Sequence, residues 1–428
     1  MKIMLLSDVQ RKGGAGIAAH RLALGLSSLG HEVIWATPHP DPASPFETIN
    51  LREFSAVGKA ARRIALTLRP DQRQAVDSQA ITRRVKEAIR THRPDVVHVH
   101  NLHGAGLPAT LPAELSRLVP VVWTLHDMWA FTGTCAYSMD CRKFESACDA
   151  GCGMADVYPA SPLNKVATQY EQRKQALSNK CGIAFATPSQ WLADEAGRGM
   201  LADQDVRVIR NCVELDKYKP IERDAARQAL DLPLGRPVLV SAATPEDPRK
   251  GAEVLYAALS KLSRPNTILL QLGGSMPGNL SGDWDHRVLG DIHDPRLMRL
   301  AYSAAVAHVL PTLADNLPNT LLEAAACGVA NIGSDVGGVG EAIEHDRTGW
   351  LVPANDPDAL ACRIGEAIDE SNETMIQRRR DCRTFAEAAF SPANQAQRYV
   401  ELFSDTIRQH AAGDSTYSAD TGDYREAA

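Results

Sequence analysis

DNLPNTLLEAAACG, residues 315–328, places a carboxylate, a proline and an apolar run in an order that specifies a helix entered through an anion site. Pro318 reads as the first helical residue, because its missing N–H would have no partner in the first turn. Asp315 therefore stands where a helix begins. Leu321, Leu322, Ala325 and Ala326 supply the positions that bury this helix, and Glu323 falls eight residues after Asp315, about one and a half turns in. The open amides around Asn316, Leu317, Asn319 and Thr320 form an anion site suited to phosphate. Two acids would repel a bare phosphate, but carboxylates accept hydrogen bonds from hydroxyls, so the pair suits a phosphate that carries sugars.

Outward from this stretch, short apolar runs alternate with longer helix-like segments. A first series lies at 3–6, 32–36, 96–99, 119–123 and 183–186, and a second at 238–241, 267–272, 286–289, 306–310 and 329–332. Such a rhythm specifies parallel sheets wound with helices, and its two series specify two α/β domains. A connection rich in charge and proline is expected at 211–237, and a helix over 385–407 follows the second series. Residues 411–428 are small, polar and acidic without a periodic apolar face, which predicts a disordered tail.

Three further segments carry chemistry. KGGAG (12–16) follows the first strand and precedes a helix expected over 17–29, so Gly14, Ala15 and Gly16 would let backbone amides approach a diphosphate. The spacing differs from the dinucleotide fingerprint G-x-G-x-x-G. Arg249 and Lys250, in DPRKG (247–251), follow the strand 238–241 and the loop 244–248, at the expected start of a helix. Cations at a helix N-terminus bind anions there rather than stabilise the helix. His126 and Asp127 end the run VVWTLHD, at the carboxyl edge where open α/β sheets bind ligands.

These segments, together with GHEV (30–33), ATPSQW (186–191), VIRNCVELDKYKP (208–220) and GGVGEAIEHDRTGWLVPANDPDAL (337–360), resemble the retaining, nucleotide-sugar-dependent glycosyltransferases of family 4 over nearly the whole chain. The resemblance implies the GT-B fold: two facing Rossmann-like domains with parallel sheets, and a C-terminal helix crossing back to the first domain. It assigns 1–210 to the acceptor side, 211–385 to nucleotide-sugar binding, 386–410 to the crossing helix and 411–428 to the tail. It implies that His126 faces the donor sugar, that Lys250 with Arg249 holds the diphosphate, that Asp315 holds the donor sugar and that Glu323 holds the ribose hydroxyls. Asp315 stands where the family usually has Glu, one methylene shorter. The DNLPNT form is similar to a subgroup of bacterial exopolysaccharide assembly, of the colanic-acid type.

The implied reaction moves a sugar from a nucleoside-diphosphate sugar to a hydroxyl of a glycan or lipid-linked acceptor. No pair of acids is placed for the two-carboxylate scheme of glycosidases. No D-x-D motif stands in a credible context, so no catalytic divalent metal is expected. An epimerase of the same fold and a non-catalytic nucleotide-sugar-binding protein are the alternatives.

Composition bounds the rest. The chain has 428 residues with 44% hydrophobic and 23% charged, which indicates two ordinary globular domains. A net charge of −6 offers no global basic field for nucleic acid. The start MKIMLLSDV is too short an apolar run for a signal peptide, and no stretch reaches the roughly 20 apolar residues of a spanning helix, so a cytoplasmic protein is expected. Residues 59–93 carry ten Lys or Arg against three acids, which is either a solvated face or a contact with anionic lipid at the inner face of a membrane. Cys135, Cys141, Cys148 and Cys152 fall in a loop over 133–153 as C-x5-C-x6-C-x3-C. Structural zinc, disulfides and free thiols are the three readings of that loop. Cys181, Cys212, Cys327, Cys362 and Cys382 read as ordinary reduced side chains.

Overall fold

A computed structural model of the chain describes residues 1–68, 73–177, 182–243, 247–264, 266–274, 284–292 and 294–417. Arg69, Cys181, part of the loop expected at 244–248 and the tail from 418 onward lie outside the described residues.

Two compact units are present. One contains Met1–Pro188, Ala193–Ile209 and the chain from Ala396 onward; the other contains Ser189–Leu192 and Arg210–Gln395. The first is built on seven parallel strands: β1 Lys2–Leu6, β2 Glu32–Thr37, β3 Glu47–Asn50, β4 Val96–Val99, β5 Val121–Thr124, β6 Ile183–Thr187 and β7 Val206–Val208. Their order is β3-β2-β1-β4-β5-β6-β7. The second has six parallel strands: β8 Val238–Ser241, β9 Ile268–Leu272, β10 Asp285–Gly290, β11 Ala307–Leu310, β12 Ala330–Ser334 and β13 Gly349–Val352. Their order is β10-β9-β8-β11-β12-β13.

Both orders run outward from a first strand, reverse, and continue on its other side, as in doubly wound nucleotide-binding sheets. The reversals fall between β1 and β4 and between β8 and β11. Ligands of such sheets sit beyond the carboxyl ends of the strands at the reversal. The α/β class with two Rossmann-like parallel sheets is therefore as expected from the apolar runs.

Period-2 alternation sorts the side chains. Val238 and Val240 of β8 join one core cluster with Leu270, Tyr302, Leu321 and Leu322, while Leu239 joins a second with Val309, Ile332, Trp350 and Leu360. Both faces of the sheet are covered, which is why its strands are apolar throughout. In the first unit Ile3, Leu5, Trp35, Val96 and Val122 are buried with Tyr399, Leu402 and Phe403 of the terminal helix. Among the described residues no helix is long and apolar enough to cross a membrane.

Several boundaries differ from the sequence reading. The terminal helix is Pro392–Tyr417, preceded by a separate helix Asn372–Ala389 in the second unit. Residues 411–417, expected to be disordered, extend that helix; once a helix is anchored, each added residue costs little. Residues 211–237 are no mere connection, since Val213, Tyr218, Ala226 and Leu232 lie in the core of the second unit and Arg223–Ala229 is helical. The edge strands β3, β7 and β13 were not read from the sequence.

Candidate functional site

The second unit brings its site residues together at the β8/β11 reversal. After β8 the chain makes one 3-10 turn, Pro248–Lys250, capped by Asp247, whose side chain accepts from Arg249 N at 3.2 Å. Gly251 follows at φ 75°, and a Cβ there would lie 1.8 Å from the Pro311 carbonyl oxygen. Only glycine lets the two loops approach so closely. The α-helix then begins at Ala252, so Lys250 ends the preceding turn rather than starting the helix.

The loop after β11 is fastened to this turn. Leu313 N and Thr312 Oγ1 donate to the Arg249 carbonyl at 2.7 and 2.9 Å. Arg249 Nη1 donates to the Ala314 carbonyl at 2.6 Å and lies 3.3 Å from Asp315 Oδ2, while its Nη2 pairs with Asp247 at 2.7 Å. Lys250 Nζ donates to the same Asp315 oxygen. Asp315 is buried. Burial alone would raise its carboxyl, but Lys250 and then Arg249 outweigh that and hold it below the usual carboxylate range. Asn316 N donates to Asp315 Oδ1 at 3.0 Å.

Asn316 is also buried and accepts at its side-chain oxygen from Ser189 Oγ. Leu317 is buried in the core cluster. Pro318 is extended, at φ −61° and ψ 125°, and caps the helix Asn319–Ala326, so the helix starts one residue later than expected. A proline can serve at the cap because its own amide is not needed by the helix. Asn319 and Thr320 in the first turn are half-buried. Glu323 is buried in this helix, and Tyr302 Oη donates to its Oε2 at 3.3 Å.

GGVGE forms a close wall beside these residues. Gly338 N donates to the Asp315 carbonyl at 3.1 Å, and Glu341 accepts from Trp191 N at 3.0 Å. A Cβ on Gly337 would lie 1.9 Å from Asp315 O, and one on Gly338 would lie 2.1 Å from Asn316 O.

In the first unit the corresponding reversal gathers histidines. His98 lies inside β4, where its Nε2 meets Thr124 Oγ1 at 2.7 Å, and that hydroxyl meets Tyr399 Oη at 2.8 Å. His100 Nδ1 and His126 Nε2 are 2.9 Å apart, a hydrogen bond in which one ring donates and the other accepts according to tautomer. Burial lowers His126 to about 4 and His98 to about 3, and takes His100 well below its ordinary value. His126 is therefore a neutral imidazole, able to hydrogen-bond a hydroxyl without carrying charge. His103 is opposite in character: burial would lower it, but its 3.1 Å contact with Asp127, helped by Asp8, raises it. Tyr158 Oη meets His103 Nδ1 at 3.1 Å, and Asp8 accepts from Gly104 N at 3.1 Å.

Gly14, Ala15 and Gly16 lie in the first turn of the helix Gly13–Ser28 rather than in a loop before residue 17. Gly14 is exposed, whereas Gly16 is buried where a Cβ would come 2.5 Å from the Gln10 carbonyl oxygen. That close approach seats the helix on the preceding turn, so these residues form the N-terminus of the helix.

The four loop cysteines, Cys135, Cys141, Cys148 and Cys152, all line one small cavity of about 10 Å³ and are free thiols. Gly133 N donates to Cys148 Sγ at 3.3 Å, and burial pushes the Cys135 thiol up to about 12. Among the described residues no three His, Cys, Asp or Glu side chains stand as a ready metal-ligand set.

Sequence reasoning missed Asp247, Tyr302, Asp8, His100, His103 and Tyr158. For the histidines a signal was present: HVHNLHG, 98–104, places three imidazoles just at and beyond a strand end. Tyr302 carries no such signal, since it acts by tertiary contact with Glu323, whereas Asp247 acts locally as the cap of the turn that holds Arg249.

Known proteins resemble this chain in sequence and in fold. Residues 12–217 match the family model Glycosyltransferase Family 4, and residues 236–370 match Glycosyl transferases group 1. A putative colanic acid biosynthesis glycosyl transferase, WcaC of Escherichia coli K12, is 24% identical over 339 residues, covering 73% of this chain and 77% of the relative. Among solved structures, sucrose-phosphate synthase from Thermosynechococcus elongatus superposes with a TM-score of 0.70 at 21% identity, over 96% of this chain and all of that one. Anabaena Alr3699/HepE in complex with UDP-glucose gives 0.67 at 17% identity, over 95% and 100%. With both sheets in Rossmann-like order and two family models matched in succession along its length, the chain belongs to the family 4 glycosyltransferases and has their GT-B fold.

Proposed function

We propose that this glycosyltransferase takes a sugar from a nucleoside-diphosphate sugar and places it, with retained anomeric configuration, on a hydroxyl of a growing bacterial polysaccharide or glycolipid. The observation that carries the reading is the Lys250–Asp315 pair at the β8/β11 reversal, with Arg249 against the same carboxylate and Glu323 in the helix that follows. An ammonium has three N–H donors and Asp315 takes one, so Lys250 keeps donors for a diphosphate. The UDP-glucose held by Anabaena Alr3699/HepE and the colanic acid role named for the Escherichia coli relative support the donor and the pathway class.

In the transfer, the acceptor oxygen bonds to the anomeric carbon as the bond from that carbon to the diphosphate oxygen breaks. The acceptor proton passes to the departing phosphate. Charge grows on that phosphate, and Lys250, Arg249 and the amides at the start of the helix Asn319–Ala326 neutralise it. Asp315 holds a hydroxyl of the donor sugar and Glu323 the ribose hydroxyls. His126, neutral through burial, hydrogen-bonds the sugar without repelling the positive charge that develops at the anomeric centre. The basic stretch 59–93 supports an acceptor presented at the anionic cytoplasmic face of a membrane.

The test is turnover of a panel of nucleotide sugars, with free diphosphate and anomeric configuration both read. A nucleoside diphosphate released in step with an axially or equatorially matched glycoside supports the reading. Conversion of the donor to an epimer without acceptor, or no consumption of any donor, would overturn it.

A further inference from the structure

The helix Ala56–Leu68 buries no residue, although a third of it is large and apolar. Val57, Ile64 and Leu68 are 79%, 61% and 75% exposed. Their spacing, i, i+7 and i+11, puts them on one stripe, and the exposed Ala60 and Ala61 fill the gap between. The opposite side is the one in use: Arg62 pairs with Asp77 of the neighbouring helix Arg73–His92 at 2.7 Å, and Gly58, Ala65 and Leu66 are half-buried. The helix is thus held through Arg62 and the half-buried Gly58, Ala65 and Leu66, and turns its apolar stripe to water. A helix that folds only to cover a core does the reverse.

Beside the stripe, Lys59, Arg63 and Thr67 follow at i, i+4 and i+8. Among the described residues neither Lys59 nor Arg63 makes an ion pair, and with Arg62 and Phe54 they line a shallow groove of about 380 Å³. An apolar stripe edged by exposed cations matches a surface with acyl chains beneath anionic phosphates, and matches neither a plain apolar partner nor a soluble anion.

We infer that Ala56–Leu68 is an interfacial helix that seats this enzyme on an anionic lipid surface, with Val57, Ile64 and Leu68 entering the acyl boundary and Lys59 and Arg63 meeting the phosphates. This deepens the membrane part of the function proposed above and names its surface, yet its test needs no sugar transfer and so fails or succeeds independently.

The full chain is sedimented with vesicles of pure phosphatidylcholine and of phosphatidylcholine with phosphatidylglycerol. Wild type is expected to bind the anionic vesicles at least about tenfold better than the neutral ones, with the difference shrinking at high salt. The triple change Val57→Ser, Ile64→Ser, Leu68→Ser should lose about tenfold or more of that binding, and Lys59→Glu with Arg63→Glu should lose the preference for anionic lipid. Unchanged melting temperatures confirm that each variant is folded. Equal binding to both vesicles, equal binding by the triple variant, or a concentration-dependent dimer that the triple variant abolishes would each overturn the inference, the last by making the occupant a second copy of the chain.

Discussion

Lys250 and Asp315 are 65 residues apart in the chain, yet the ammonium of one donates directly to the buried carboxylate of the other. They follow the two strands between which the sheet order reverses, so the topology brings them together. Removing the cation still leaves Asp315 with Arg249 at 3.3 Å and the Asn316 amide at 3.0 Å. Lys250→Ala should therefore fold, while kcat/KM for the donor falls about 10²- to 10³-fold, the usual effect of deleting one group that stabilises developing charge. Steady-state kinetics beside a thermal melt check this, and a melt that collapses with the activity would point to structure instead.

Glu323 separates binding from chemistry. In the proposed function its carboxylate holds ribose hydroxyls rather than the reacting atoms, a role worth one or two charge-assisted hydrogen bonds. Glu323→Gln should raise KM for the donor by roughly 30- to 150-fold, about 2–3 kcal/mol, with a much smaller change in kcat. A kcat effect at unchanged KM would move Glu323 to the transition state.

The glycine wall has a steric prediction. Gly337 sits at φ 56° with the Asp315 carbonyl oxygen 1.9 Å from where a Cβ would go. Gly337→Ala must displace the backbone of Asp315 itself, at an expected cost of at least about 2 kcal/mol and with loss of donor binding. Denaturant unfolding and nucleotide titration of the same preparation measure both.

The buried histidines set an acid limit. His98, His100 and His126 are all held below their ordinary value by burial, so the unfolded chain binds protons that the folded chain does not. Their contribution is present above about pH 6.5 and is lost as pH falls from there towards 4. His103, raised by Asp127, acts in the other direction. Wild type should melt at least about 3 °C lower at pH 5 than at pH 7, and His98→Gln should narrow that gap. An unchanged gap in the variant would contradict the assignment.

For the cysteine loop, a Cys135 thiol pushed up to about 12 and no ready metal-ligand set among the described residues predict four thiols that alkylate once the protein is unfolded and no stoichiometric metal by elemental analysis. One zinc per chain, lost in Cys148→Ser together with part of the thermal stability, would contradict this and make the loop a structural metal site.

Central strands such as β4, β8 and β11 were legible because a strand covered on both faces is apolar throughout. β3, with Glu47-Thr48-Ile49-Asn50, and β7, with Val206-Arg207-Val208, are edge strands with a side open to solvent, and their composition carries no such run. Asp315, Lys250 and His126 were singled out because each lies near a recognisable element end, and Glu323 because it follows Asp315 by eight residues in an apolar helix. Asp247 and Tyr302 were not, since a side chain that orients another by contact across 2 or 21 residues leaves no periodic trace. The helix Ala56–Leu68 shows the converse: its amphipathic pattern was readable, but which side faces water depends on where Arg62 finds Asp77.

Calorimetric titration of wild type, Lys250→Ala and Glu323→Gln with a panel of nucleoside diphosphates tests the donor site most directly. One diphosphate should bind wild type in a single site and bind each variant at least about tenfold more weakly, with all three proteins folded. Binding of none of them to wild type, or equal binding to all three proteins, would contradict the account.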